Sequence, residues 1–191
     1  MELSLIEEST STEKILRSLR GDIAIVGNAT TKEALGEQID AFSNVIRFNQ
    51  YKTTGYEHLV GEKTTLACVS GHPENNYDGQ ATRIHPLPRL ALKWAWLPQG
   101  VVHYCEEVNV LPYIKNTLKY HLPSTGFTLC CLLEELEIQA TVFNFDGLRT
   151  PHYFDQGSVH PKWHHGLFEM NVIVQMKWIR LFGSQPRFQV L

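Results

Sequence analysis

The sequence predicts an α/β domain with a mainly parallel sheet flanked by helices. Short apolar runs bounded by glycine or polar residues read as strands buried on both faces, the mark of a parallel sheet. Helical segments alternate with those runs. A length of 191 residues fits one domain, 1–191, with a core of useful size. No internal repeat, low-complexity tract or linker divides the chain.

In chain order, Leu5, Ile6, Ile15, Leu16 and Leu19 lie among charges over 5–20 and predict a short amphipathic helix. Asp22-Ile23-Ala24-Ile25-Val26-Gly27-Asn28 predicts the first buried strand. Thr30 to Phe42 reads as a helix, Asn44 to Asn49 as a second strand and Thr64 to Ser70 as a third. Residues 71–100 are dense in proline and glycine, which predicts loops and turns with one helical stretch around Leu90–Trp96. Val101–Cys105 reads as a strand, Asn109–Tyr120 and Phe127–Leu136 as helices, Thr141–Phe145 as a strand and Asn171–Phe182 as a closing helix.

Composition narrows the function. Hydrophobic residues make up 43% and charged ones 19%, a mixture ordinary for soluble globular proteins. A net charge of −3 supplies no basic field for a nucleic-acid backbone, so no nucleic-acid partner is expected. No apolar run is long enough for a transmembrane segment. The start, Met1-Glu2-Leu3-Ser4 with Glu7 and Glu8, lacks the basic and then apolar pattern of a signal sequence, and the expectation is a cytoplasmic chain. Cys68, Cys105, Cys130 and Cys131 form no CxxC; as adjacent or strand-borne residues they are expected to be buried free thiols.

The strongest chemical signal is the end of the first strand. In an open α/β sheet, ligands bind beyond the carboxyl ends of the strands, where backbone amides face outward. Gly27, lacking a Cβ, would let a phosphate come close, and the Asn28 amide could donate to it. A plain strand-to-helix turn explains the same dipeptide. Neither GxGxxG nor GxxxxGK[ST] occurs, so dinucleotide and P-loop readings lose support. Arg47 and Asn49 end the second strand facing the same crevice. Asn49 suits a ribose or phosphate oxygen, whereas Arg47 reads as a structural ion-pair partner.

Pro123-Ser124-Thr125-Gly126 precedes a long apolar helix. A Ser or Thr there is a natural N-cap, and the same helix start offers amides and a positive dipole end to an anion. Four histidines fall within fourteen positions, His152, His160, His164 and His165. Neither HExxH nor a Cys/His knuckle spacing is present, and neutral imidazoles are natural proton carriers for hydroxyl activation. Taken singly, each histidine is more often a surface or satisfied structural residue than a catalyst.

Together these residues resemble the sialyltransferases of glycosyltransferase family 29, whose four motifs occur here in order. The large motif is similar to Ile23–Asn28, Gly36–Asp40, Val45–Asn49 and Val60–Thr65, and the small motif to Pro123–Gly126 with its helix and the strand to Phe145. The third resembles His152-Tyr153-Phe154-Asp155, and the last pairs His164 with Glu169. The resemblance implies a Rossmann-like domain of modified GT-A type. It also implies an inverting, metal-independent transferase with no cofactor, moving an acidic sugar from a CMP donor to a glycan or glycolipid acceptor. Sialic acid and Kdo both qualify as that sugar.

By matching positions, Gly27, Asn28 and Asn49 would contact the donor's phosphate and ribose. Ser124, Thr125 and Gly126 would hold the nucleotide or the sugar carboxylate. His152 would hydrogen-bond the departing phosphate, and His164 would be the general base, with Tyr153 and Glu169 supporting. No DxD pair is present to carry a divalent ion. A five-residue step on one helix is about 140° round, so either His164 precedes the helix or Glu169 holds backbone. Ile23 and Glu137 stand where the animal enzymes of the family carry a disulfide, which agrees with a reducing cytoplasm. Two alternatives remain: a transferase using another nucleotide sugar, and a non-catalytic nucleotide-binding module of the same fold.

Overall fold

The computed structural model describes residues 10–70, 81–88, 102–118, 122–158 and 164–182. Seven strands among these form one sheet in the order β5-β4-β3-β2-β1-β6-β7, with every pairing parallel. The strands are β1 (Ile23–Val26), β2 (Asn44–Phe48), β3 (Leu66–Cys68), β4 (Thr82–Pro88), β5 (His103–Cys105), β6 (Ala140–Phe143) and β7 (Ile179–Leu181). The helices are α1 (Thr12–Ser18), α2 (Gly36–Asp40), α3 (Glu57–Val60), α4 (Leu111–Leu118), α5 (Thr125–Glu135) and α6 (Gly166–Ile173). The fold is therefore α/β and Rossmann-like, as the sequence predicts.

Strand periodicity divides the core. Ile23 and Ile25 of β1 point to one face, where Ile15 and Leu16 of α1, Ile114 of α4, Phe127 and Leu129 of α5 and Ile173 of α6 cover the sheet. Ala24 and Val26 point to the other, covered by Ile39 of α2 and Val60 of α3. Cys68, Cys105, Cys130 and Cys131 are all free thiols inside this packing, as expected. Burial pushes their ionisation upward, to about 12 for Cys131. Among the described residues, no helix is long and apolar enough to cross a membrane.

Three elements differ from the sequence expectation. Residues 82–88 form β4 although the segment was expected to be loop. Pro86 and Pro88 suggest a breaker, but the β4–β5 register shifts between His85 and Pro88, and Leu87 donates its N–H to His85 Nδ1 at 3.2 Å. The prolines thus fall at an irregularity where the ladder bond is already lost. The expected helix Leu90–Trp96 lies outside the described residues.

Next, the expected helix Thr30–Phe42 shrinks to α2. Thr30 is pinned instead: its N–H reaches Thr150 Oγ1 at 3.0 Å and the Pro151 carbonyl at 3.1 Å. Finally, the expected closing helix Asn171–Phe182 is the end of α6 followed by β7. The Glu134 carboxylate accepts the N–H groups of Lys177 and Trp178 at 2.9 and 2.8 Å, which turns the chain onto the open edge of β6.

At the opposite edge, α1 is stitched to β4 and β5 by buried polar groups. Thr12 Oγ1 donates to the carbonyls of His85 and His103, and the Glu13 carboxylate accepts the N–H groups of Glu106, Glu107 and Val108. Burial alone would raise the Glu13 pKa, but those backbone donors outweigh it and lower it. His85, buried and stacked on Tyr104, is pushed down to about 4 by burial.

Both groups make this edge acid-labile. The unfolded chain binds more protons than the folded one between the folded and unfolded pKa values, so stability falls as pH drops from about 6.5 toward 4. The His85 share reaches about 3 kcal/mol, and Glu13 adds to it below the ordinary carboxylate pKa. Thermal midpoints measured from pH 7 to pH 4 should fall steeply, and His85→Gln should flatten the upper part of that slope. A slope unchanged by the substitution would assign the lability elsewhere.

Candidate active site

From β1 the chain steps outward through β2, β3 and β4 to β5, then returns to place β6 on the other side of β1. The carboxyl ends of β1 and β6 therefore diverge, which is the switch point where open α/β sheets bind ligands. A cavity of about 390 Å³ opens there, within the usual range for small-molecule sites. Its walls include Gly27, Asn28, Asn49, Ser124, Thr125, Gly126, His152, His164 and Glu169. Nine residues named from the sequence thus meet in one place, although they span most of the chain.

Their local roles differ in part from the expectation. Gly27 is needed for packing in its own right: a Cβ there would lie 2.4 Å from the Asn144 carbonyl and 2.6 Å from the Phe145 ring. Gly126 meets the other side of the same ring, at 2.8 Å. Phe145 in turn packs edge-on against Phe48 at 5.7 Å. One aromatic ring is therefore held between the end of β1 and the start of α5. Gly27→Ala should lower stability by about 1–3 kcal/mol by overpacking, read in thermal melts. Wild-type stability in that variant would show that both the ring and the Asn144 carbonyl can move aside.

Asn28 Nδ2 donates to the carbonyls of Phe48 and Gln50, at 3.2 and 3.0 Å, so its side-chain donors tie β1 to the exit of β2. Asn49 takes a positive φ of 46°, which asparagine tolerates, and its Oδ1 accepts the Ser70 N–H at 2.7 Å. That bond fixes the carboxamide with Nδ2 as its donor. Arg47, expected in the crevice, is buried elsewhere. Its guanidinium donates to the carbonyls of Val60, Gly61 and Lys63 and to Thr64 Oγ1. Its role is structural, but its partners are neutral oxygens of the α3–β3 connection.

Ser124 caps α5, accepting the Phe127 N–H on Oγ at 3.2 Å. The hydroxyl donates in turn to Glu169 Oε2 at 2.5 Å, and the Ser124 N–H reaches Oε1 at 2.7 Å. With its proton given to Glu169, Ser124 has no hydroxyl donor left for a ligand. The first-turn N–H groups of Thr125 and Gly126, which have no intrahelical acceptor, are the better anion donors. Glu169 is buried, and burial raises its pKa in spite of the two Ser124 bonds and the nearby His164 and His165.

His164 does precede α6, whose N-cap is His165, and Glu169 does hold backbone. Both branches left open by the helical spacing are therefore realised. His164 Nδ1 lies 2.8 Å from the Leu122 carbonyl. A carbonyl only accepts, so Nδ1 carries the proton and Nε2 is the basic nitrogen of the neutral ring. His152 is set by its N–H to Ser158 Oγ at 2.7 Å and by a bridge to Ala29, which ties it to the turn after β1.

Tyr153 lies outside the cavity wall. Its buried hydroxyl donates to the Lys52 carbonyl, and burial raises its pKa to about 12. Its N–H donates to the Asn28 carbonyl at 2.9 Å, so it supports the site through the backbone of the turn after β1. His160 lies outside the described residues. Asn144 and Phe145 were not singled out in the sequence, because the pairing of β6 with β1 cannot be read from it.

Comparison with known proteins finds similarity to sialyltransferases in sequence and in fold. Residues 8–89 match the family model for glycosyltransferase family 29 (sialyltransferase). A Rattus norvegicus beta-galactoside alpha-2,6-sialyltransferase 2 is 29% identical over 119 residues, covering 54% of this chain and 21% of that protein. A Mus musculus alpha-N-acetyl-neuraminyl-2,3-beta-galactosyl-1,3-N-acetyl-galactosaminide alpha-2,6-sialyltransferase is 40% identical over 58 residues, covering 29% of this chain and 16% of that protein. The match thus spans about a fifth or less of those relatives' length. A mammalian sialyltransferase solved with Gal-beta-1-3GalNAc-ortho-nitrophenol superposes with a TM-score of 0.60 at 22% identity, covering 89% of this chain and 72% of that one. Over 8–89 the sequence is similar to the sialyltransferases of glycosyltransferase family 29, and over most of the chain the fold is that of a mammalian sialyltransferase.

Proposed function

We propose that this chain is a glycosyltransferase that moves sialic acid from a CMP donor to a glycan hydroxyl, inverting the anomeric centre without a metal. The observation that carries the reading is the convergence of the motif residues on one cavity at the β1/β6 switch point. The relatives' names favour sialic acid over Kdo as the sugar. In this reading the Thr125 and Gly126 amides and the dipole of α5 hold the donor's anionic groups. His152 donates to the phosphate as the bond to the sugar breaks. His164 Nε2 takes the proton of the acceptor hydroxyl as its oxygen attacks from the opposite face. CMP leaves with the bonding electron pair, and the proton stays on His164.

The cytoplasm is part of the proposal. Four buried free thiols, and the absence of a cysteine at both 23 and 137, suit a reducing compartment.

Calorimetry with CMP, UMP, GDP and ADP tests the nucleotide, followed by turnover of CMP-sialic acid and CMP-Kdo with and without chelator. Preferential CMP binding and chelator-resistant consumption of CMP-sialic acid are expected. Binding without preference for CMP would overturn the reading, and CMP binding without turnover would favour the non-catalytic module.

A further inference from the structure

We propose that Asn144 is a ligand-binding residue of this cavity, its side-chain amide donating to a phosphate or ribose oxygen of the bound nucleotide. The inference rests on the reading that the cavity takes a CMP donor. Asn144 follows β6 directly, packs its carbonyl against Gly27 and belongs to the cavity wall. It is only 7% exposed, and among the described residues its Nδ2 has no hydrogen-bond partner. The other two asparagines of the wall differ: Asn28 uses its amide nitrogen and Asn49 its amide oxygen to fix neighbouring strands.

A buried, unpaired amide nitrogen is rare enough to need a cause. Backbone geometry does not supply one. Asn144 has a φ of 54°, which asparagine tolerates but glycine meets at least as well, without an amide to bury. A neutral donor at the switch point does supply one. The Cβ–Cγ torsion of asparagine is soft, so the carboxamide can turn along the cavity wall while the backbone stays packed on Gly27. The amide would then serve the nucleotide opposite the N–H groups of Thr125 and Gly126, strengthening the hold on an acceptor oxygen without adding a fixed charge.

Asn144→Gly keeps the positive φ and removes only the carboxamide. Calorimetry of wild type and variant with CMP and with cytidine, together with their thermal midpoints, tests the role. CMP binding should weaken about 3- to 10-fold with the midpoint nearly unchanged, the effect of one hydrogen bond. Weakening confined to CMP assigns the contact to phosphate, and equal weakening of cytidine assigns it to ribose. Should the glycine variant fold poorly, Asn144→Asp keeps the shape and replaces the donor by a negative charge, and CMP binding should weaken at least 10-fold. A folded variant of either kind that binds CMP as wild type does would overturn the inference and leave the proposed function standing. Failure of the wild type to bind CMP would overturn both.

Discussion

Replacing His164 by alanine is expected to lower sugar transfer by about 10²–10⁴-fold while leaving CMP affinity nearly unchanged. The split follows from the placement of the ring. His164 is fixed through Nδ1 to the Leu122 carbonyl, just ahead of α6, and presents Nε2 as its basic nitrogen. The anion donors of Thr125 and Gly126 belong to another element, the start of α5. Loss of the base should therefore reach kcat without disturbing the nucleotide. His164→Asn, whose amide nitrogen can take the place of Nδ1 toward Leu122 but which has no basic nitrogen, should be as inactive as alanine. Equal losses of CMP affinity and transfer would make His164 a ligand contact and remove it from the base role.

Glu169→Ala is expected to cost about 2–4 kcal/mol of stability and to weaken CMP binding together with it. The carboxylate accepts both the N–H and the hydroxyl of Ser124, and Ser124 in turn caps α5. Without it, the Ser124 N–H loses its acceptor and the helix start that faces the cavity loosens. Glu169→Gln retains an oxygen for the Ser124 N–H and should lose less than half as much. The pH dependence separates the two variants further. The folded pKa of Glu169 is raised by burial, so its favourable share is present at acid pH and declines as pH rises through the folded pKa. That slope, opposite in sign to the one from His85, should be absent from the glutamine variant. Thermal melts across pH and CMP calorimetry read both effects, and wild-type stability in Glu169→Ala would refute the clamp.

The sequence was legible where one physical signal dominated. The apolar runs of β1, β2, β3 and β6 are buried on both faces, and their pattern says so directly. Strand β4 was hidden because Pro86 and Pro88 are read as breakers, while the bulge and the His85 ring that accommodate them are tertiary. Strand β7 was hidden because residues 179–181 pair only once Glu134 has turned the chain onto β6. The motif residues found their place in the cavity, yet their local duties were less visible. Gly27 proved necessary for the Phe145 ring, and the Ser124 hydroxyl is engaged by Glu169, a residue 45 positions away. Asn144 gave no local signal at all, since its position beside Gly27 depends on the strand order.

That strand order has a consequence for synthesis on the ribosome. Strand β1 emerges before β6, but Ala24 takes Thr141 as its partner on one side and Val45 on the other. The β1–β2–β3 portion can pair while translation continues, whereas the β1 edge that β6 will cover stays open until more than a hundred further residues have been made. Long-range parallel pairing of this kind is slow and leaves an aggregation-prone edge in the meantime. The switch-point cavity is bounded by that same late seam, so it is expected to be the last region of the nascent chain to mature. A nucleotide able to bridge the ends of β1 and β6 would then act during biogenesis as well as in turnover, raising the yield of native protein when present as the chain is released.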